Sequence, residues 1–111
     1  MQLTRAATSD EVVIVVNESR IDAAVAMRFK DRMRQLLGGT SQPVVIDMRA
    51  VQFLDSSGLG AIIALRKAMD DARPLTLLGL TPNVERVFLL TRMDSVFDIR
   101  PADPPTEEQA T

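Results

Sequence analysis

Five consecutive β-branched residues, Val12-Val13-Ile14-Val15-Val16, constrain the fold of this chain more than any other feature. Such stiff side chains suit a pleated backbone. Because no polar residue alternates with them, the run reads as a strand covered on both faces. Val44 to Met48 behind Pro43, and Leu75 to Leu80 behind Pro74, read the same way. Three buried strands set far apart in sequence call for the right-handed crossovers of a mostly parallel sheet.

The segments between them carry helical spacing. Val25, Phe29, Met33, Leu36 and Leu37 recur along residues 22–37, with Asp22 as N-cap and Gly38-Gly39 as the stop. From about Ser57 to Ala72, Leu59, Ile62, Ile63, Arg66 and Met69 share one side, and Pro74 blocks extension. Thr81-Pro82 opens a third helix, threonine at the N-cap and proline at the first helical position, with Val84, Val87, Phe88 and Thr91 inside. Gln2 to Ala6 alternates weakly as an edge strand, and Val96 to Ile99 suits a last one.

The order ββαβαβαβ defines one α/β domain over residues 1–100, a mixed, mostly parallel sheet of about five strands with helices packed against it. From Pro101 on, three prolines, two glutamates and no large apolar residue predict a disordered tail over residues 101–111.

Composition narrows the chemistry. A length of 111 residues, 46% of them hydrophobic, suits a single compact domain, for which a monomer is the default. The chain has no cysteine and no histidine. Disulfides, thiolate zinc sites, cysteine nucleophiles and imidazole bases are excluded, and no catalytic residue, metal site or cofactor is expected. All four aromatic residues are Phe and the net charge is -2, which argues against nucleic acid. No apolar stretch approaches the ~20 residues that span a bilayer, so no direct membrane insertion is expected. The start of the chain, with Arg5, Asp10 and Glu11, lacks the pattern of a secretory signal, and a cytoplasmic location follows.

The informative stretch is Phe53-Leu54-Asp55-Ser56-Ser57-Gly58-Leu59-Gly60, between a strand and a helix. Two hydroxyls at a helix mouth stand where unpaired backbone N–H groups and the positive dipole end favour a negative group. The fold would tolerate a phosphate on Ser56 or Ser57, and a β-carbon at Gly58 or Gly60 would crowd anything docking there. An ordinary N-cap, Asp55 or Ser56, is the other reading of the same residues.

Sharper catalytic motifs fail on inspection. Gly58-Leu59-Gly60 lacks the third glycine of a dinucleotide fingerprint, and no Gly-Lys-Ser or Gly-Lys-Thr is present. Neither serine has the glycine two positions earlier that a nucleophile elbow needs. Asp47 and Asp55 are not fixed beside a second acid by spacing. Arg28, Lys30, Arg32 and Arg34 read as a solvated basic face that could steer an acidic partner. Met27, Met33 and Met69 read as packing, or at most as an adaptable contact surface.

Val44-Val45-Ile46-Asp47-Met48, followed by Phe53-Leu54-Asp55-Ser56-Ser57-Gly58-Leu59-Gly60-Ala61-Ile62, resembles the signature of STAS domains of the bacterial anti-sigma factor antagonist type. Ser19-Arg20-Ile21-Asp22-Ala23 is similar to that family's turn after the second strand, with Ser19 where the family has glycine, and Val84 to Phe88 suits its third helix. The resemblance covers roughly residues 2–100 and implies a phosphoprotein that switches partners and is itself no enzyme. Ser57 would be phosphorylated by a cognate anti-sigma factor that is also a serine kinase of the histidine-kinase-like ATPase type, and a PP2C-type phosphatase would reverse this. The unphosphorylated form would capture the kinase and free its client. Ser19, Asp22, Asp55, Ser56, Gly58 and Leu59 would form the docking surface.

Two other readings compete. One is a STAS scaffold without a phosphate cycle, serving a transporter, lipid-trafficking or sensory complex. The other, a receiver domain phosphorylated on aspartate, needs a lysine after a late strand, whereas Lys30 and Lys67 both fall on predicted helices.

Overall fold

The computed structural model describes residues 1–102, so the expected tail lies outside the described residues except for Pro101 and Ala102. Along the chain run β1 (Leu3–Ala7), β2 (Val12–Val16), β3 (Arg20–Ile21), α1 (Ala26–Leu37), β4 (Val44–Asp47), β5 (Phe53–Leu54), α2 (Ser56–Ala68), β6 (Leu75–Leu78), α3 (Pro82–Leu90), a 3-10 turn (Met93–Ser95) and β7 (Asp98–Arg100). The ββαβαβαβ order is present, with two additions. β3 and β5, two residues each, pair with one another in parallel outside the main sheet.

The main sheet has five strands in the order β1-β2-β4-β6-β7. β1 runs antiparallel to β2, and every other pair is parallel. Each helical connection steps one strand further in the same direction, so right-handed crossovers place all three helices on one face. The core agrees. Val12, Ile14, Val16, Val44, Ile46, Leu75 and Leu77 share one cluster with Phe29 and Met33 of α1, Ile62 and Leu65 of α2, and Val84 and Phe88 of α3. Phe88 meets Phe97 edge-on, ring centroids 5.7 Å apart.

Coverage on both faces holds for β4, whose four residues are all buried, and nearly so for β6, but not for β2. Along β2 burial alternates: Val12, Ile14 and Val16 are fully buried, Val13 and Val15 only half so. A run of β-branched residues fits a central strand whether one face or two carry helices, so the missing polar alternation could not separate the cases. The face turned from the helices also holds Asp47, which is 4% exposed. Arg49 grips it with Nε at 3.0 Å from Oδ1 and 3.1 Å from Oδ2, Nη2 at 2.7 Å from Oδ2, and its backbone N–H at 3.1 Å from Oδ1. Burial alone would raise this carboxyl, but the hydrogen bonds and charge of Arg49 prevail and hold it below the usual carboxylate value.

Helix ends differ from the spacing-based bounds. α1 starts at Ala26 with Val25 at the N-cap, because Asp22 is spent on a preceding turn: its carbonyl accepts from the N–H groups of Val25 (3.0 Å) and Ala26 (2.9 Å). α2 stops at Ala68 rather than Ala72. Asp70 Oδ1 takes the Ala72 N–H at 2.9 Å, and an aspartate bonded to nearby backbone in this way favours a turn over a further helical one. Arg66, which spacing sets on one side with Leu59 and Ile62, donates to the carbonyls of Asp70 (2.8 Å) and Arg73 (2.9 Å).

Candidate functional site

The site is built on the short β3–β5 pair. Ser19 carbonyl accepts the N–H groups of Gln52 at 2.7 Å and Phe53 at 3.1 Å, and the register sets Arg20 beside Phe53 and Ile21 beside Leu54. This brings the turn before α1 against the start of α2. Arg20 lies 4.4 Å over the Phe53 ring and reaches Asp22 Oδ2 with Nε at 3.3 Å. Asp22 Oδ1 accepts the Ala24 N–H at 3.1 Å, fixing the turn from within.

Asp55, not Ser56, is the N-cap of α2. Its Oδ1 accepts the Gly58 N–H at 2.9 Å, and its Oδ2 accepts the Ala23 N–H at 3.1 Å. Both N-cap duty and the joining of the two segments thus fall on one carboxylate. Ser56 and Ser57, the first two helical residues, are exposed, and among the described residues no hydrogen bond engages either hydroxyl.

Gly58 and Leu59 do not belong to the exposed surface, contrary to the sequence-based expectation. Leu59 is only 8% exposed and packs in the core. A β-carbon on Gly58 would drive into the Ile21 carbonyl and come within 2.8 Å of Leu54 Cδ1. The glycine therefore serves close packing of α2 against β3, not the approach of a partner. Gly60 is the opposite case, since a β-carbon there would meet nothing within 4 Å. The structure leaves Asp22, Asp55, Ser56 and Ser57 together at the C-terminal end of the β3–β5 pair, with the two aspartates half-buried and the two serines exposed, while Ser19, also exposed, stands at the other end, where its carbonyl meets Gln52 and Phe53.

Two further residues, Met27 and Lys30, join this surface. Ser57 opens onto a groove of about 270 Å³ between α1 and α2, shared with Ala26, Met27, Lys30, Gly60 and Ala61. Met27 is 64% exposed and is not core packing, while Met33 is fully buried. Its position one residue after Ala26, off the Phe29–Met33–Leu37 stripe, was the signal available in the sequence. Lys30 of the basic face reaches the same groove. Among the described residues no group of acidic residues could hold a metal ion, and no helix is long and apolar enough to cross a membrane.

Comparison with known proteins places this geometry. A STAS-domain containing protein of Pseudomonas aeruginosa is 27% identical over 94 residues, 84% of this chain and 91% of that protein. An anti-sigma factor antagonist from Mycobacterium paratuberculosis has the same fold, with a TM-score of 0.79 and 24% identity over 98% of this chain and 89% of that one. So has the Bacillus anti-sigma factor antagonist SpoIIAA in its unphosphorylated form, with a TM-score of 0.71 and 20% identity over 98% and 92% of the two chains. The fold also forms a part of the murine anion transporter Slc26a9, with a TM-score of 0.73 and 13% identity over 86% of this chain and 17% of that one. The family model for the STAS domain matches residues 4–105, nearly the full length, and this chain belongs to the STAS domain family.

Proposed function

We propose that this protein is an anti-sigma factor antagonist that switches partners through phosphorylation of Ser57. The observation carrying this reading is the pair of exposed, unengaged hydroxyls at the mouth of α2, behind a carboxylate cap that holds their backbone rigid. The fold shared with SpoIIAA supports it. In the unphosphorylated state the surface of Ser19, Asp22, Asp55, Ser56 and Ser57, extended by Met27, docks on an anti-sigma factor that is also a serine kinase of the histidine-kinase-like ATPase type. Capture of that kinase releases its client. A PP2C-type phosphatase returns the modified protein to the binding state, and the cycle runs in the cytoplasm on a monomer.

Charge and shape are enough for the switch. A phosphoserine brings about -1.5 to -2 charges to a surface that must lose water on binding, beside Asp55. A hundred-fold loss of affinity needs about 2.7 kcal/mol, within reach of like-charge repulsion and blocked contact together. Refolding is unnecessary.

The test is incubation of the protein with ATP and a kinase of this type encoded beside it, read by intact mass and site mapping, with Ser57→Ala as control. One acid-stable phosphoryl group on Ser57, absent from the variant, is the expected result. No modification, or modification elsewhere, overturns the proposal. The likeness to a transporter-borne domain favours one alternative, a scaffold without a phosphate cycle. That alternative requires Ser57→Asp to bind its partner as tightly as the parent does.

A further inference from the structure

Among the described residues, the one buried side-chain nitrogen or oxygen without a hydrogen bond is Nη2 of Arg73. Folded chains seldom leave such a donor unpaired. The guanidinium is pinned through Nε, which donates to the Gln42 carbonyl at 2.6 Å, while Nη1, which is not sealed from solvent, also bonds to nothing among the described residues. Burial pulls this group below the ordinary arginine value, and no carboxylate pairs with it to offset the lost water.

Arg73 stands on the wall of a cleft of about 420 Å³ at the C-terminal ends of α1 and α2. Arg34 reaches the same cleft from the last turn of α1; it is exposed, and its guanidinium has neither hydrogen bond nor ion pair among the described residues. The negative end of α1 accounts for the charge of Arg34 alone. Asp70 is the acid on the wall, yet its carboxylate takes the Ala72 N–H at 2.9 Å and pairs with neither arginine. Two arginines against one aspartate leave the wall with a net charge of +1. Leu37, Leu65 and Met69 give the rest of it an apolar character.

We propose that this cleft binds a small organic monoanion, a carboxylate carried on an apolar chain. The carboxylate accepts from Arg73 Nη1 and from Arg34, and hydrogen bonds between ionised partners are the strong class. The chain covers Leu37, Leu65 and Met69. A few polar groups converging on a mostly apolar concavity are the ordinary make-up of a small-molecule site. The net charge of the wall suits one negative charge better than the two of a phosphate monoester, and a neutral apolar molecule would leave both arginines unpaired. The cleft shares no residue with the Ser57 groove, so this site does not rest on the phosphoserine reading.

The test is titration of the ¹⁵N-labelled full chain with sodium octanoate, read by amide shifts. Saturable shifts centred on Gly38, Ser41 and residues 69–73 are expected. Octanol, with the chain but no charge, and acetate, with the charge but no chain, should each bind at least about tenfold more weakly. Arg34→Gln and Arg73→Gln should each lower octanoate affinity by about tenfold, as the loss of a charged hydrogen-bond partner does. Arg34 is exposed, so its variant tests the site even if the loss of Arg73 disturbs the fold. Shifts that are absent, unsaturable or centred elsewhere, equal binding of octanol or acetate, tighter binding of octyl phosphate, or unchanged affinity in the Arg34→Gln variant would each overturn the proposal.

Discussion

Asp55 and Ala23 stand 32 positions apart in sequence and are joined by a 3.1 Å hydrogen bond from the Ala23 N–H to Oδ2, while Oδ1 of the same carboxylate caps α2 at Gly58. The surface on which Ser57 sits is thus a strapped corner between α1 and α2, not a free loop. Replacing Asp55 by alanine should cost about 1–2 kcal/mol, from the lost cap and the exposed second N–H. Asparagine should recover roughly half, since its one acceptor oxygen can keep the Gly58 cap but its amide cannot accept from Ala23. Urea unfolding gives the free energies. Hydrogen exchange should rise at Ala23 in both variants and at Gly58 only in the alanine variant.

The two glycines of the same helix should respond with opposite sign. Gly58→Ala forces a methyl group into the Ile21 carbonyl and should destabilise by about 1–3 kcal/mol, with the upper end favoured because the obstacle is backbone. Gly60→Ala enters open space inside a helix and should stabilise by about 0.5–1 kcal/mol through lower backbone entropy in the unfolded chain. Thermal melts of the two variants against the parent decide it. Equal destabilisation would show that α2 does not pack on β3 as described.

Asp47 predicts the acid limb of the stability curve. Burial works to raise its carboxyl, but the hydrogen bonds and charge of Arg49 keep the folded value below 3.8, the ordinary one. The unfolded chain therefore takes up the proton first as pH falls. Stability from this pair is fully present above the unfolded value and is lost as pH drops from 3.8 through the folded value. Asp47→Asn should lower stability at neutral pH and flatten the decline on acidification. Urea midpoints from neutral pH to about pH 2.5 in both proteins measure the difference.

What could be read from the sequence followed from long-range patterning. The β-branched runs at Val12, Val44 and Leu75, with helical spacing between them, are enough to set a parallel sheet, because no other arrangement buries both patterns. Asp55-Ser56-Ser57 before a helix likewise fixes which groups stand at its mouth. The rest depends on contacts that leave no periodic trace. β3 and β5 have two residues each and are held by register and by the Ser19 carbonyl, so no pattern could reveal them. Their pairing decides that Gly58 is a packing glycine and that Asp22 closes a turn instead of capping α1. Met27 is the opposite case, since its place off the Phe29–Met33–Leu37 stripe already separates a contact-surface residue from core packing.

Phosphorylation of Ser57 should separate binding from stability. A negative group at the second residue of α2 faces the positive end of the helix, which contributes about 0.3–1 kcal/mol in its favour. Lys30 shares the groove with the serine, and its charge opposes part of the cost of Asp55 nearby. Protein carrying phosphoserine at position 57 should therefore melt within a few degrees of the parent. The same protein should lose kinase binding by about a hundred-fold or more, measured by calorimetry or surface-immobilised kinase. Ser56→Ala should leave the melting temperature nearly unchanged, because its hydroxyl is not the cap. A large drop in melting temperature on modification would mean that the phosphate acts by unfolding the corner, and the account of a rigid surface switched by charge would have to be abandoned.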